Sequence, residues 1–118
     1  MERRGQKYHR ERLGEALREE IETIVEGELA NPRIGLATVT AVELAEDTRT
    51  ARVFVAVEGR DEEAQRSLQG LTAAAGFIRR QIAGRLQLRR APELFFELDR
   101  SDKYQARVDE LLKRTRKH

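Results

Sequence analysis

Two histidines, a serine set among aspartates and a run of glutamates are the groups of this 118-residue chain that could carry acid–base or nucleophilic chemistry. His9 and His118 stand near opposite ends, in charged segments, with no partner at the spacing of a metal site or a catalytic triad. The stretch "DRSD" places Asp99 and Asp102 beside Ser101. Serine and aspartate are also the residues preferred where a helix is capped, and a strand running into such a cap accounts for all of them. Glu19, Glu20, Glu22, Glu26 and Glu28 scatter around a helix at its 3.6-residue period, as a hydrated face does, and do not converge on one point. The chain has no cysteine, no Walker loop and no GxGxxG turn. These observations imply no catalytic centre, no cofactor and no metal, so an enzyme is not expected.

The basic residues carry the stronger signal. Residues 1–12 hold five basic side chains against two acidic, residues 79–90 five against none, and residues 103–118 six against two. These windows take most of the 23 basic residues and leave the remainder of the chain acidic, although the net charge is only +2. Such segregation gives one positive face or end, the footprint of a polyanionic partner. The candidate phosphate-binding side chains are Arg79, Arg80, Arg85, Arg89 and Arg90, joined by Lys113 and Arg114 in the last window. No apolar run approaches the roughly 20 residues of a membrane span, and the basic start has no apolar core behind it. A cytoplasmic protein with no membrane partner is expected.

The elements that must position these groups follow from periodicity. Leu13, Leu17, Ile21, Ile24, Val25 and Leu29 recur at helical steps from Glu11 to near Ala30, where Asn31–Pro32 stops the helix. Residues 34–45 are rich in β-branched side chains and read as a strand. After the turn "EDTRT", Ala51, Val53, Val55 and Val57 alternate with Arg52, Phe54, Ala56 and Glu58, which predicts a second strand in an antiparallel hairpin. Asp61 is a candidate cap for a long helix continuing through Leu68, Leu71, Ala75, Ile78, Ile82 and Leu86. Pro92 marks a turn before a third strand, residues 93–99. Ser101 or Asp102 caps a last helix with Tyr104, Val108, Leu111 and Leu112 on its apolar side. The whole chain is one α+β two-layer domain, with helices on one face of a three-stranded sheet and basic, mobile ends at 1–9 and 113–118.

Gly76 interrupts the long helix straight after Ala73, Ala74 and Ala75. A strand, two helices with a tight break between them and a strand form the core of a KH-type RNA-binding module. Such modules usually clamp nucleotides with a GxxG loop at the break. This chain has no GxxG; it has "AAG", Ala74–Ala75–Gly76, in the matching place. With Ile78 at the centre of the buried stripe, Arg80 points nearly opposite and Arg79 lies at its edge, so both are expected to face solvent. A helix beginning at such a break would also present free N–H groups to phosphate.

"ELANPRIGLATVTAVELAEDTRTARVFVAV" (28–57), "AAGFIRRQIAGRLQLRRAPELFF" (74–96) and "DRS" (99–101) together resemble the ribosome-binding factor A family, in its order and spacing. The resemblance implies a type II KH-like fold of helix, strand, strand, kinked helix pair and strand, plus the C-terminal helix. In that fold an Ala-x-Gly interhelical kink replaces GxxG, and the resemblance places the kink at Ala74, Ala75 and Gly76. It implies a monomeric factor that binds the free small ribosomal subunit and assists late maturation of its 16S rRNA, including 5′-end processing, most importantly in the cold. Ribosomal proteins or other assembly factors are further expected partners. With so few aromatic residues, recognition of folded rRNA shape is expected over base stacking. The alternative is a protein–protein adaptor whose acidic first helix binds a basic ribosomal protein; a small ribonuclease is disfavoured by the missing catalytic groups. A true break at Gly76 makes Gly76→Ala destabilising, and that sign is the expectation.

Overall fold

The computed structural model describes residues 4–29, 34–99, 109, 110, 112 and 113. Helix α1, Arg4–Thr23, begins well before Glu11, so residues 4–9 are helical here and not a separate basic tail. It passes into a π-helical turn, Ile24–Glu28, closed by the Leu29 N–H donating to the Ile24 carbonyl at 2.7 Å, five residues back. Leu17, Ile21, Ile24 and Val25 form the buried stripe that the spacing predicts. The Asn31–Pro32 stop lies outside the described residues.

Strands β1, Ala37–Leu44, and β2, Thr50–Val57, form the antiparallel hairpin. Its register shifts between Val39 and Ala41, so Thr40 is the extra residue of a β-bulge. The connecting turn is closed by the Thr48 N–H donating to the Ala45 carbonyl and by the Arg49 N–H donating to the Asp47 side chain. Ala51, Val53, Val55 and Val57 point into the core as their alternation requires. Strand β3, Glu93–Leu98, lies parallel to β2, giving the sheet order β1-β2-β3. A parallel neighbour needs a crossover connection, and helix α2, Asp61–Arg85, supplies it.

Helix α2 is one continuous α-helix through Gly76, not two helices separated by a break. Gly76 is absent from the positive-φ residues, so its backbone is one that any L residue can adopt. Glycine costs about 1 kcal/mol relative to alanine in a helix interior. Leu71, Ile78 and Ile82, all fully buried on the same helix, offset that easily. Acidic Asp61, Glu62 and Glu63 sit in the first turn and Arg85 in the last, matching the helix dipole at both ends. The N-cap is Arg60, with extended backbone and no capping side chain, so Asp61 is the first helical residue and not the cap. At the other end Gln87 adopts φ 52°, and the Leu88 N–H donates to the Ala83 carbonyl at 2.9 Å. This closes the helix in the Schellman manner without a glycine.

The core lies between α1, the π turn and α2 on one side and one face of the sheet on the other, with Leu94 and Phe96 completing it from β3. The expected α+β two-layer arrangement is therefore what the chain adopts. Residues 109, 110, 112 and 113 are helical, consistent with the C-terminal helix, while its predicted cap at Ser101 or Asp102 and its Tyr104, Val108 and Leu111 lie outside the described residues.

Candidate nucleic-acid interface

The arginines of residues 79–90 occupy the C-terminal end of α2 and the loop that leads into β3, and they divide by role. Arg79 is half-buried. Its Nε donates to the Ala91 carbonyl at 2.9 Å, tying the helix to the buried pair Ala91–Pro92 just before β3. It is a strut of the fold, and the sequence-based expectation that it faces solvent is corrected. Arg80 is exposed, and its guanidinium folds back across the side-chain-free surface of Gly76: a Cβ on Gly76 would stand 3.6 Å from Nη1. Arg85 ion-pairs with Glu28 and, at 3.5 Å, with Glu20. The hydrogen bond it donates to Glu28, backed by Glu20, raises its guanidinium pKa above the ordinary value. This arginine joins α2 to α1 and the π turn. Arg89 and Arg90 are exposed and have no acidic partner among the described residues. Lys113 is exposed on a helical turn, whereas Arg114 lies outside the described residues.

Because α2 does not break, the N–H groups after Gly76 stay within the helix, and no fresh helix N-terminus faces a phosphate there. The surface around Gly76 is instead shaped by side chains. A groove of about 390 Å³ runs between α2 and β3, walled by Thr72, Ala75, Gly76 and Arg79 on the helix and by residues 93–96 on the strand. Phe77, beside Gly76, is 46% exposed. It lies off the stripe of Leu71, Ala75, Ile78 and Ile82, and that departure, legible on a helical wheel, is the signal that could have singled it out.

The opposite face of the sheet has the wrong sign for a polyanion. Arg52 sits among Glu43 on β1 and Glu97 on β3, with Nη2 donating to Glu97 Oε1 at 3.1 Å and Nη1 lying 3.5 Å from Glu43. The Glu97 hydrogen bond raises the Arg52 pKa, and the same bond holds the Glu97 carboxyl below its ordinary range. Glu93 is exposed along the same strand. The Asp99 carboxylate accepts the Thr40 hydroxyl at 2.5 Å, a contact at the bulge of the sheet. Ser101 and Asp102 lie outside the described residues. Among those described, no cluster of His, Asp and Glu could hold a metal ion, and no helix is long and apolar enough to cross a membrane.

Four of the acids on the first helix and its π turn are engaged from within, while Glu11, Glu15 and Glu19 are exposed. Glu22 pairs with Arg18 at 2.9 Å, and Glu20 and Glu28 take Arg85. Glu26 accepts the Val39 N–H at 3.3 Å, covering an outward donor of the edge strand β1.

The profile of the ribosome-binding factor A family matches residues 9–112. The chain belongs to that family. The ribosome-binding factor A of Koribacter versatilis is 57% identical over 99% of this chain and 95% of its own length. That of Thermomicrobium roseum is 48% identical over 90% of this chain and 82% of its own. The crystal structure of ribosome-binding factor A from Thermus thermophilus superposes with a TM-score of 0.60 at 31% identity, covering 82% of this chain and 98% of that one. A homology model of the Thermus thermophilus factor, fitted into a cryo-electron-microscopy map of its complex with the 30S subunit, gives 0.57 at 32% identity, covering 79% and 93%. The two helices and three-stranded sheet described above are thus the family's fold, and the KH-like arrangement that the sequence implies is consistent with it.

Proposed function

We propose that this protein binds the free small ribosomal subunit, contacts its 16S rRNA and assists the late maturation of that RNA. In this reading it acts in the cytoplasm as a monomeric binding factor and not as an enzyme. The observation that carries it is the exposed, acid-free set Arg80, Arg89 and Arg90 at one end of α2, in a family whose Thermus member is described in a complex with the 30S subunit. These guanidiniums hold phosphates and so fix the protein's position without reading sequence. Arg79 and Arg85 shape the platform, because each already has a protein partner. Ala74, Ala75 and Gly76, where the resemblance places the kink, are the helical segment that orients Arg80. Lys113 and Arg114 add general phosphate affinity. The adaptor reading is the weaker one, since Glu20, Glu22, Glu26 and Glu28 are engaged internally and only Glu11, Glu15 and Glu19 stand exposed on the first helix without a partner among the described residues.

The test is co-sedimentation with purified small subunits over a salt series. Three phosphate contacts give a slope of log affinity against log salt of roughly −2 to −3 from these residues alone. Replacing Arg80, Arg89 and Arg90 one at a time by glutamine should weaken binding and reduce the slope by about 1 each, with melting temperature retained. Salt-independent binding of the wild type, or slopes unchanged in all three variants, would refute the proposal.

A further inference from the structure

Phe77 leaves 46% of its surface exposed in the middle of a helix in which Leu71, Ile78 and Ile82 are fully buried and Leu68 is partly so. It contributes little to the core, so its position is not explained by folding. Its surroundings are specific. Gly76, next to it, is exposed and offers no side chain, and Arg80, one turn on, lies back over that glycine. Residues three apart on a helix are surface neighbours, so Phe77 and Arg80 share one exposed face of α2. The groove between α2 and β3 opens on the Gly76 and Arg79 side of the helix, and Phe77 is not among the residues that wall it.

An exposed phenyl ring facing solvent fits two kinds of partner: an apolar protein surface or the π-face of a base. Charge decides between them. No acidic residue occurs from 79 to 90, and Arg80, Arg89 and Arg90 have no acidic partner among the described residues. A ring in that field meets a partner rich in negative charge, and stacking on an aromatic side chain is how such a surface holds an unpaired base. We infer that Phe77 stacks on one unpaired base of the bound rRNA while Arg80 takes the adjoining phosphate. The protein then recognises a splayed nucleotide as well as folded shape. The inference rests on the rRNA-binding reading above and adds a residue and a ligand chemistry to it.

The test uses the intact chain and purified small subunits, with Phe77→Ala, Phe77→Leu and Phe77→Tyr beside the wild type. Phe77→Ala should weaken binding roughly 5- to 150-fold, the range of one base stack, at every salt concentration. Its salt slope should stay that of the wild type, because no charge is removed. Phe77→Tyr should bind within a few-fold of wild type, and Phe77→Leu should be as weak as Phe77→Ala. A photoreactive benzophenone carried on the ring at position 77 should cross-link to rRNA. Rescue by leucine, or a cross-link to a ribosomal protein, would overturn the inference in favour of an apolar protein contact. Full-strength binding by Phe77→Ala would overturn it outright. If the wild type itself fails to sediment with subunits, the functional reading falls; if the wild type binds with steep salt dependence and Phe77→Ala does so equally, only this inference does.

Discussion

Replacing Gly76 by alanine should stabilise the protein. The position lies inside the continuous helix α2, is exposed and is not at positive φ. The added Cβ would meet one neighbour within 4 Å, the Arg80 Nη1 at 3.6 Å, an ordinary van der Waals contact with the free end of a flexible side chain. No steric term therefore opposes the gain in helix propensity and the smaller chain entropy of the unfolded state, together about 0.5–1 kcal/mol. For a domain of this size that raises the melting temperature by roughly 2–6 °C. In urea it moves the midpoint up by about 0.5 M at an unchanged m-value. Thermal and urea melts of both proteins decide the matter. A less stable Gly76→Ala would refute the reasoning, because it would mean that the chain is bent or crowded at this residue in solution. Sedimentation with small subunits supplies the second readout: the new methyl only touches the guanidinium, so binding should change less than in Arg80→Gln.

The remaining predictions concern the scaffold. Ser67 is 3% exposed and its hydroxyl accepts the Gly35 N–H at 3.0 Å. Ser67→Ala removes that bond while the exposed Gly35 N–H can turn to water, so it should lower stability by about 0.5–1.5 kcal/mol, read by urea melts. Gln87 closes α2 at φ 52°, a conformation that glycine adopts without strain, so Gln87→Gly should raise stability by up to about 1 kcal/mol in the same assay. Glu97 is held below its ordinary carboxyl range by its hydrogen bond to Arg52. A depressed carboxyl contributes stability above the unfolded value, about 4.3, and that contribution is lost as pH falls through the lower folded value. The melting temperature of Glu97→Gln should thus lie below wild type at neutral pH and converge with it in acid; a constant gap across the titration would show that the pair does not titrate as described.

Most of the architecture was legible because it is written in local periodicity. The stripe of Leu17, Ile21 and Ile24 and the alternation of Ala51, Val53, Val55 and Val57 each name a buried face without reference to any other element. The site was legible only in part. Arg85 meets Glu20 and Glu28 across 65 and 57 residues of chain, and no local pattern announces such a partnership. Arg79 looked like an edge residue on the helical wheel, and its bond to a backbone carbonyl at Ala91 depends on where the loop after α2 returns. At Gly76 the difficulty lies in the chemistry of glycine itself. The same residue serves a break, a close approach or an exposed helical position, and only the surrounding atoms tell these apart. The start of α1 was placed too late because residues 4–10 are polar and offer no apolar stripe to count.

The mixed sheet also sets an order of events for the newly made chain. Strands β1 and β2 are joined by a short turn and can pair as soon as both exist. The parallel partnership of β3 with β2 cannot form until residues 58–92 have folded back over the hairpin, with α2 among them. Closing so long a segment is entropically slow, so the hairpin forms early and β3 docks late. Destabilising changes in β3, such as Leu94→Ala, should consequently speed unfolding and leave the folding rate nearly unchanged, whereas Val53→Ala should slow folding. The last strand to arrive lies against the end of α2 that carries Arg79, so the groove beside Gly76 is the final piece of surface to take shape.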